Sequence, residues 1–398
     1  MISIKDIDEA AQRLQPVVHY IPLASSTTFS GMTGAEVYLK CENQQKTGSF
    51  KVRGAYNKIM KLYERGGLTS VIASSAGNHA QGVAFAAHSI GIPATICMPR
   101  STPIAKVSAT KGYGANVVLS GSCYDDAYAK AMEIVEETGA TFIHPFDDPM
   151  VIAGQGTIGL EIMDEMPDTD TIVVPVGGGG LAAGVAAAVK MLHPSVRVIG
   201  VQAAGAAGMK ASLEAGHVVS LPSAKTIADG IAVKQPGELT FELCRKYLDE
   251  VVTVDDDEIA QAILFLMEKG KMVAEGAGAA PVAAIMNRKL DCRGKIAAVI
   301  SGGNIDVTMI SRIIEKGLLR AGRVSKLRIL MQDRPGQLEI VSRIIGGAGA
   351  NVMAVHHDRT DVDLDIRDAL LEITMETQDR EHAQRVIAAL REAGFTVS

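Results

Sequence analysis

Short apolar runs alternate with amphipathic stretches along most of this chain. The runs at residues 70–73, 94–98, 116–119, 171–176, 196–201 and 296–300 are short, and several are continuously apolar and rich in Val or Ile. That is the pattern of strands buried on both faces. Between them, residues 78–90, 124–138 and 181–192 carry apolar positions at helical spacing. The alternation persists to about residue 320 and predicts an α/β architecture with parallel, helix-flanked sheets and right-handed crossovers. Residues 70 to about 145 are flanked by material that completes another sheet, so two sheet-bearing lobes are expected.

A second pattern begins after Gly317-Leu318-Leu319-Arg320-Ala321-Gly322-Arg323. A strand at 326–332 leads through Asp333-Arg334-Pro335-Gly336 into a helix at 337–346. Strands at 351–357 and 369–376 flank an Asp-rich connection, a helix covers 381–393, and 395–398 forms a short last strand. This β-α-β-β-α-β order predicts a ferredoxin-like module.

The 398 residues suffice for two or three domains with their own cores. With 4% aromatic residues the chain lacks the stacking platforms of a single-strand nucleic-acid binder, and a net charge of −6 without a basic run excludes a duplex binder. The five cysteines, at 41, 97, 123, 244 and 292, form no C-x-x-C pair and are odd in number, which points to a reducing compartment. No apolar signal core follows Met1, and no apolar stretch reaches membrane-spanning length. A cytoplasmic protein without membrane or nucleic-acid partners is expected.

The most informative segment is Lys46-Thr47-Gly48-Ser49-Phe50-Lys51-Val52-Arg53-Gly54-Ala55. Helical spacing follows over residues 52–64, and Thr47 or Ser49 is placed to cap that helix, with Lys51 in its first turn. A cation there opposes the helix dipole, which favours the neutral amine that an aldehyde cofactor needs. Taken alone, one of 39 Lys and Arg residues is a solvated surface charge.

Three further loops each follow a predicted strand. Ser74-Ser75-Ala76-Gly77-Asn78-His79 opens a helix and suits a carboxylate, although an Asn-capped turn reads the same way. Gly177-Gly178-Gly179-Gly180-Leu181 leaves backbone N–H groups unshielded at a helix start, a phosphate cradle. It also matches a loose dinucleotide fingerprint, but the next strand is followed by Gln202 rather than an acidic residue, so a compact monophosphate fits better. Ser301-Gly302-Gly303-Asn304 is by itself a simple turn. Glu275 stands in a run of Gly and Ala that is no solvated helix face; a buried hydrogen-bonded carboxylate is the plain reading. His79 and His144 read as packing or hydrogen-bonding residues rather than general bases.

In order and over nearly the entire chain, these motifs resemble the tryptophan-synthase-like (fold type II) pyridoxal-phosphate enzymes, above all the threonine dehydratases. His144-Pro145-Phe146-Asp147-Asp148-Pro149, Ala153-Gly154-Gln155-Gly156-Thr157 and Ala274-Glu275-Gly276-Ala277 match as well. The resemblance implies that Lys51 carries pyridoxal 5'-phosphate and that Phe50 packs on its ring. Asn78 contacts the 3-hydroxyl, and the glycines Gly177, Gly178, Gly179 and Gly180 with Leu181 hold the phosphate. Gly230 faces the ring opposite Phe50, Glu275 lies nearby, and Ser301 bonds the pyridine nitrogen. A hydroxyl there weakens the electron sink and suits elimination over transamination. Ser75, Ala76, Gly77, Asn78 and His79 take the substrate carboxylate. Lys51 and Ser301 are thus the catalytic candidates.

Two departures from relatives matter. Serine racemases have a serine where this chain has Ala76, which disfavours racemase activity. The acidic ligands of the divalent-cation site in many relatives are replaced by Gln202 and Gly208, so no magnesium site is expected, while a monovalent ion bound by carbonyls stays open.

The implied reaction converts L-threonine to 2-oxobutanoate and ammonia, with L-serine giving pyruvate. A related serine lyase or β-replacement enzyme is the rival, and an amino-acid sensor with an inactive catalytic lobe is the rival of another class. The C-terminal module resembles an ACT domain, which implies an amino-acid effector, isoleucine or valine. A catalytic domain over residues 1–320, its smaller lobe inserted at about 50–150, would then precede a regulatory domain at 325–398. The resemblance further implies a homodimer or homotetramer.

Overall fold

The computed structural model describes residues 2–398 other than 361 and 363. The chain divides into two compact units, Met1–Asp306 and Val307–Ser398.

Ten strands of the first unit are described: β1 (Leu23–Ser25), β2 (Glu36–Lys40), β3 (Val71–Ser74), β4 (Ala94–Met98), β5 (Asn116–Leu119), β6 (Thr141–Phe142), β7 (Thr171–Pro175), β8 (Arg197–Ala203), β9 (Glu250–Val254) and β10 (Lys295–Val299). They form two sheets. The larger has the order β1-β2-β10-β7-β8-β9, and the smaller β5-β4-β3-β6. Every pairing is parallel except β1 with β2. Strands β3 and β7 are buried at every residue, as sheets covered on both faces require. The predicted strands are all present, with ends moved by no more than two residues. The ladder sets those ends: Val71 to Ser74 pair in register with Ala94 to Cys97.

Helix contacts position the site. The Lys51–Arg65, Pro149–Glu165 and Gly180–Leu192 helices approach one another through glycines. A Cβ on Gly54 would stand 2.8 Å from Val151 Cγ1 and 2.9 Å from its carbonyl oxygen. One on Gly154 would stand 2.6 Å from the Arg53 carbonyl oxygen, and one on Gly156 2.8 Å from that of Gly184. Only glycine permits such backbone proximity. The same contact is braced by charge. Arg53, fully buried, meets Glu42 at 2.8 Å through two nitrogens and reaches Glu161, which also takes Lys40 at 2.7 Å.

In the second unit, β11 (Val324–Gln332), β12 (Asn351–Asp358), β13 (Asp368–Glu376) and β14 (Thr396–Val397) form an antiparallel sheet in the order β12-β13-β11-β14. The Gln337–Gly347 and Arg380–Glu392 helices follow β11 and β13, which completes the ferredoxin-like order. Leu327, Ile329 and Met331 enter the core while Lys326, Arg328 and Leu330 face outward, the period-two signature of a half-buried sheet. In the Asp-rich connection, positions 361 and 363 lie outside the described residues. The Val307–Arg320 helix is grouped with this unit. No helix among the described residues is long and apolar enough to cross a membrane.

Candidate active site

Three adjacent parallel strands, β2, β10 and β7, end side by side, and the chemistry-bearing loops leave from their carboxyl ends. That is where ligands bind in parallel α/β sheets. The Lys51 segment follows β2, Ser301 follows β10, and the glycine loop follows β7. From the smaller sheet, β3 delivers Ser75, Ala76 and Gly77, then Asn78 and His79 as the first residues of the Asn78–Ser89 helix.

Lys51 is the first residue of its helix, but neither Thr47 nor Ser49 caps it. Phe50 is the N-cap, in αR conformation, and makes no side-chain cap bond. The Thr47 and Ser49 hydroxyls are buried without partners. What seats the helix start is backbone: Phe50 N–H donates to the Ser301 carbonyl at 3.0 Å, and Gly303 N–H to that of Gly48 at 2.9 Å.

The Lys51 amine donates to the Pro145 carbonyl at 2.8 Å and lies 5.2 Å from the centroid of the buried Phe50 ring. Burial lowers its pKa from 10.5 to about 8, against the opposing field of Glu275. Desolvation, rather than the helix dipole expected above, is the main cause.

The next residue after Pro145, Phe146, walls the glycine loop. A Cβ on Gly178 would fall 2.6 Å from the Phe146 ring, and one on Gly180 2.9 Å from Phe146 Cβ. Gly179 adopts φ +99° against Met209 and Thr240, a left-handed conformation that favours glycine. Thr240 fixes the loop by donating its hydroxyl to the Gly178 carbonyl at 2.6 Å, and its own N–H goes to Asp147 at 3.0 Å. Among the described residues no acceptor in the chain meets the N–H groups of Gly177, Gly178, Gly179 and Gly180. Four open donors at a helix start form an anion site in waiting. Leu181, buried, is the second residue of that helix.

Asn78 does not cap its helix. Gly77 is the N-cap, and the Asn78 side chain turns elsewhere: Nδ2 donates to Glu275 Oε1 at 2.7 Å, and Oδ1 accepts from Asn304 Nδ2 at 2.8 Å. Glu275 is buried and its carboxyl is pushed up to about 7, first by burial, then by Asp229, with the Asn78 bond and Lys106 pulling the other way. Gly230 lies beside it, where a Cβ would stand 3.3 Å from Glu275 Oε1. The Gly77 N–H, expected to be free for a carboxylate, is taken by Ser75 Oγ at 3.2 Å. Ala76 carries no proton to give.

His79 is buried with Nε2 at 2.8 Å from the Ile143 carbonyl, so Nε2 bears the hydrogen. Its Nδ1 has no partner, and burial lowers its pKa to about 3, which keeps it neutral. His144 Nδ1 accepts from the Asp147 N–H at 2.7 Å and so orders the turn that holds Pro145 and Phe146. Gln202 donates to the carbonyls of Val176 and Ala206 and accepts from the Lys210 N–H.

Sequence reasoning missed the Pro145 carbonyl, the Asp147–Thr240 support, Gln155 and Asn304. Gln155 is fully buried with both amide atoms unpartnered, its oxygen 2.8 Å from where a Gly180 Cβ would be. Its motif is visible in the chain, but a side chain that matters by contacts distant in sequence leaves no local signal.

A family model described as pyridoxal-phosphate dependent enzyme matches residues 14–302. An L-threonine ammonia-lyase of Thermotoga maritima is 54% identical over 398 residues, covering 100% of this chain and 99% of that protein. Among solved structures, a threonine deaminase from T.th. superposes with TM-score 0.73 at 41% identity over 76% of this chain and 99% of its own. Maize serine racemase gives TM-score 0.75 at 38% identity over 80% and 98%.

Proposed function

The chain belongs to the pyridoxal-phosphate dependent enzymes, and on that premise we propose that it converts L-threonine to 2-oxobutanoate and ammonia, with L-serine giving pyruvate as a side activity. The observation that carries the reading is the ring of contacts around one buried amine whose pKa burial lowers. Lys51 meets Pro145, Phe146 walls the open glycine amides, and Glu275 with Asn78 closes the other side.

These residues fit the cofactor. The unpartnered N–H groups of Gly177 to Gly180 suit its phosphate, Lys51 its aldehyde carbon, Phe50 and Gly230 the two ring faces, and Ser301 the ring nitrogen. When bound, pyridoxal phosphate supplies the electron sink that lets a proton leave the substrate Cα. Lys51 Nζ would hold the aldehyde carbon and, as the free neutral amine, would take the substrate Cα proton. Ser75, Ala76, Asn78 and His79 orient the substrate carboxylate at a helix start. Loss of the Cα proton and the β-hydroxyl together amounts to one water, and hydrolysis of the released enamine gives the keto acid and ammonia. Ala76 leaves the second face of Cα without an acid, which favours elimination over the racemisation named for the maize neighbour.

The test is direct. Purified protein with pyridoxal phosphate and L-threonine yields 2-oxobutanoate, and Lys51→Ala loses both turnover and the visible band of the bound cofactor. Turnover that survives Lys51→Ala overturns the reading.

Beyond this core, we assign catalysis to residues 1–320 and an ACT-like regulatory role, for isoleucine or valine, to residues 325–398 of a cytoplasmic homodimer or homotetramer. The ferredoxin-like order of the second unit supports that assignment. An activity curve unmoved by either amino acid removes the effector.

A further inference from the structure

We propose that Asn304 is a positioning residue for the reaction, because it selects which end of the Asn78 amide faces the cleft. The inference rests on the site reading above and assigns a role that the Ser301-Gly302-Gly303-Asn304 motif alone does not reveal.

The Asn304 amide nitrogen has two hydrogens, and both are used. One goes to the Thr47 carbonyl and one to Asn78 Oδ1, each at 2.8 Å. The first bond anchors Asn304 to the loop that leads into Lys51. The second forces Asn78 to present its oxygen to Asn304 and its nitrogen to Glu275 Oε1, 2.7 Å away. With its oxygen engaged and one N–H given to Glu275, Asn78 retains one amide hydrogen for a ligand. Its free amide hydrogen therefore makes it a donor toward the cleft. Were the amide free to rotate by 180°, it would offer an acceptor instead, and a ligand oxygen placed there would face a lone pair.

The surroundings are cut to fit Asn304. Gly48 has φ +70°, and a Cβ there would lie 2.6 Å from Asn304 Oδ1, so the loop passes at a distance only glycine allows. The Asn304 backbone N–H also acts on Glu275, favouring its charged form. Asn304 thus touches the Lys51 loop, Asn78 and Glu275 at once, and joins three sequence-distant motifs.

A double-mutant cycle on the full-length, cofactor-loaded protein tests this, using Asn304→Ala, Asn304→Asp, Asn78→Ala and the pairs. Asn304→Ala should lower kcat about tenfold, the order expected from losing one orienting hydrogen bond, with KM for threonine little changed. Asn304→Asp, which keeps the size and removes both donors, should shift the visible absorbance band and weaken pyridoxal phosphate binding to the apoprotein. In the Asn78→Ala background neither substitution should add further loss or shift. Equal losses with and without Asn78, or wild-type kcat and spectrum in Asn304→Asp, overturn the proposal alone. A wild-type chain that shows neither cofactor band nor product overturns the site reading and this proposal together.

Discussion

Gly54→Ala should cost this protein its rate rather than its fold. The added Cβ would lie 2.8 Å from Val151 Cγ1, 2.9 Å from the Val151 carbonyl oxygen and 3.0 Å from Gln155 Nε2. Ordinary contact begins near 3.4 Å, and the carbonyl cannot rotate away, so the Lys51–Arg65 helix must retreat by roughly half an ångström. Overpacking of this kind costs about 1–3 kcal/mol. Alanine returns about 1 kcal/mol over glycine in a helix interior, which leaves a small net loss. Activity is another matter, because Lys51 sits three residues earlier on the same helix face. A misplacement of about 1 Å at a reacting group costs on the order of a hundredfold, so half of that shift costs roughly tenfold. Urea denaturation reads the stability and 2-oxobutanoate formation reads kcat. Gly31→Ala serves as the control, since a Cβ there meets nothing within 4 Å; it should gain up to ~1 kcal/mol and leave kcat alone. A Gly54→Ala enzyme with kcat within twofold of wild type would refute the claim that this helix contact sets the position of Lys51.

Three other outcomes follow from the charges. The amine of Lys51 titrates near 8, so capture of pyridoxal phosphate by the apoprotein should rise about tenfold per pH unit up to there and then level; stopped-flow traces that keep rising beyond pH 9 contradict the burial of that group. Glu275 has a folded pKa of about 7 against 4.5 unfolded, which means its neutral form belongs to the fold and stability drains away as pH rises from 4.5 through 7. Glu275→Gln removes that drain in a pocket faced by Asp229, Lys106 and Lys51, so its advantage over wild type in urea should grow from near zero at pH 4.5 to on the order of 3 kcal/mol at pH 8; a pH-independent difference tells against it. Arg53→Met strands the fully buried Glu42 without its partner and should destabilise by about 3–5 kcal/mol, and an unfolding midpoint that barely moves would rule out the network as a brace.

Much of this fold was legible because strands buried on both faces, such as β3 and β7, leave apolar runs; β4 and the half-exposed edge strand β5 also emerge with the predicted bounds. Strand β2 was not legible. It carries Glu36 at one end and Lys40 at the other, and Lys40 is buried only because Glu161 and the Ile21 carbonyl, remote in sequence, neutralise it. The site divides the same way. Glycines and a lysine at strand ends announce themselves by spacing, since backbone amides and a helix start are local objects. The helix cap escapes for the converse reason: Thr47 and Ser49 are good capping residues, but the Ser301 carbonyl holds the Phe50 N–H, and Phe50 takes the N-cap place. Asn304 and the Pro145 carbonyl matter through partners more than 90 residues away, which no local pattern records.

The same helix shows how the chain keeps one amine reactive beside a strong charge cluster. Lys51 and Arg53 are two residues apart, about 200° around the helix, and so face opposite ways. On one side Arg53 is met by Glu42 and Glu161, and those carboxylates outweigh the cost of burial and hold its guanidinium firmly charged. On the other, Lys51 meets a carbonyl oxygen and the field of a carboxyl that burial drives toward neutrality, and these compensate a full ammonium only in part. Moving a carboxylate from the Arg53 side to the Lys51 side would leave the sum of charges unchanged and raise the Lys51 pKa, lowering the fraction of free amine at neutral pH. The reactivity of Lys51 therefore depends less on what binds it than on which face of one helix the acidic residues are kept.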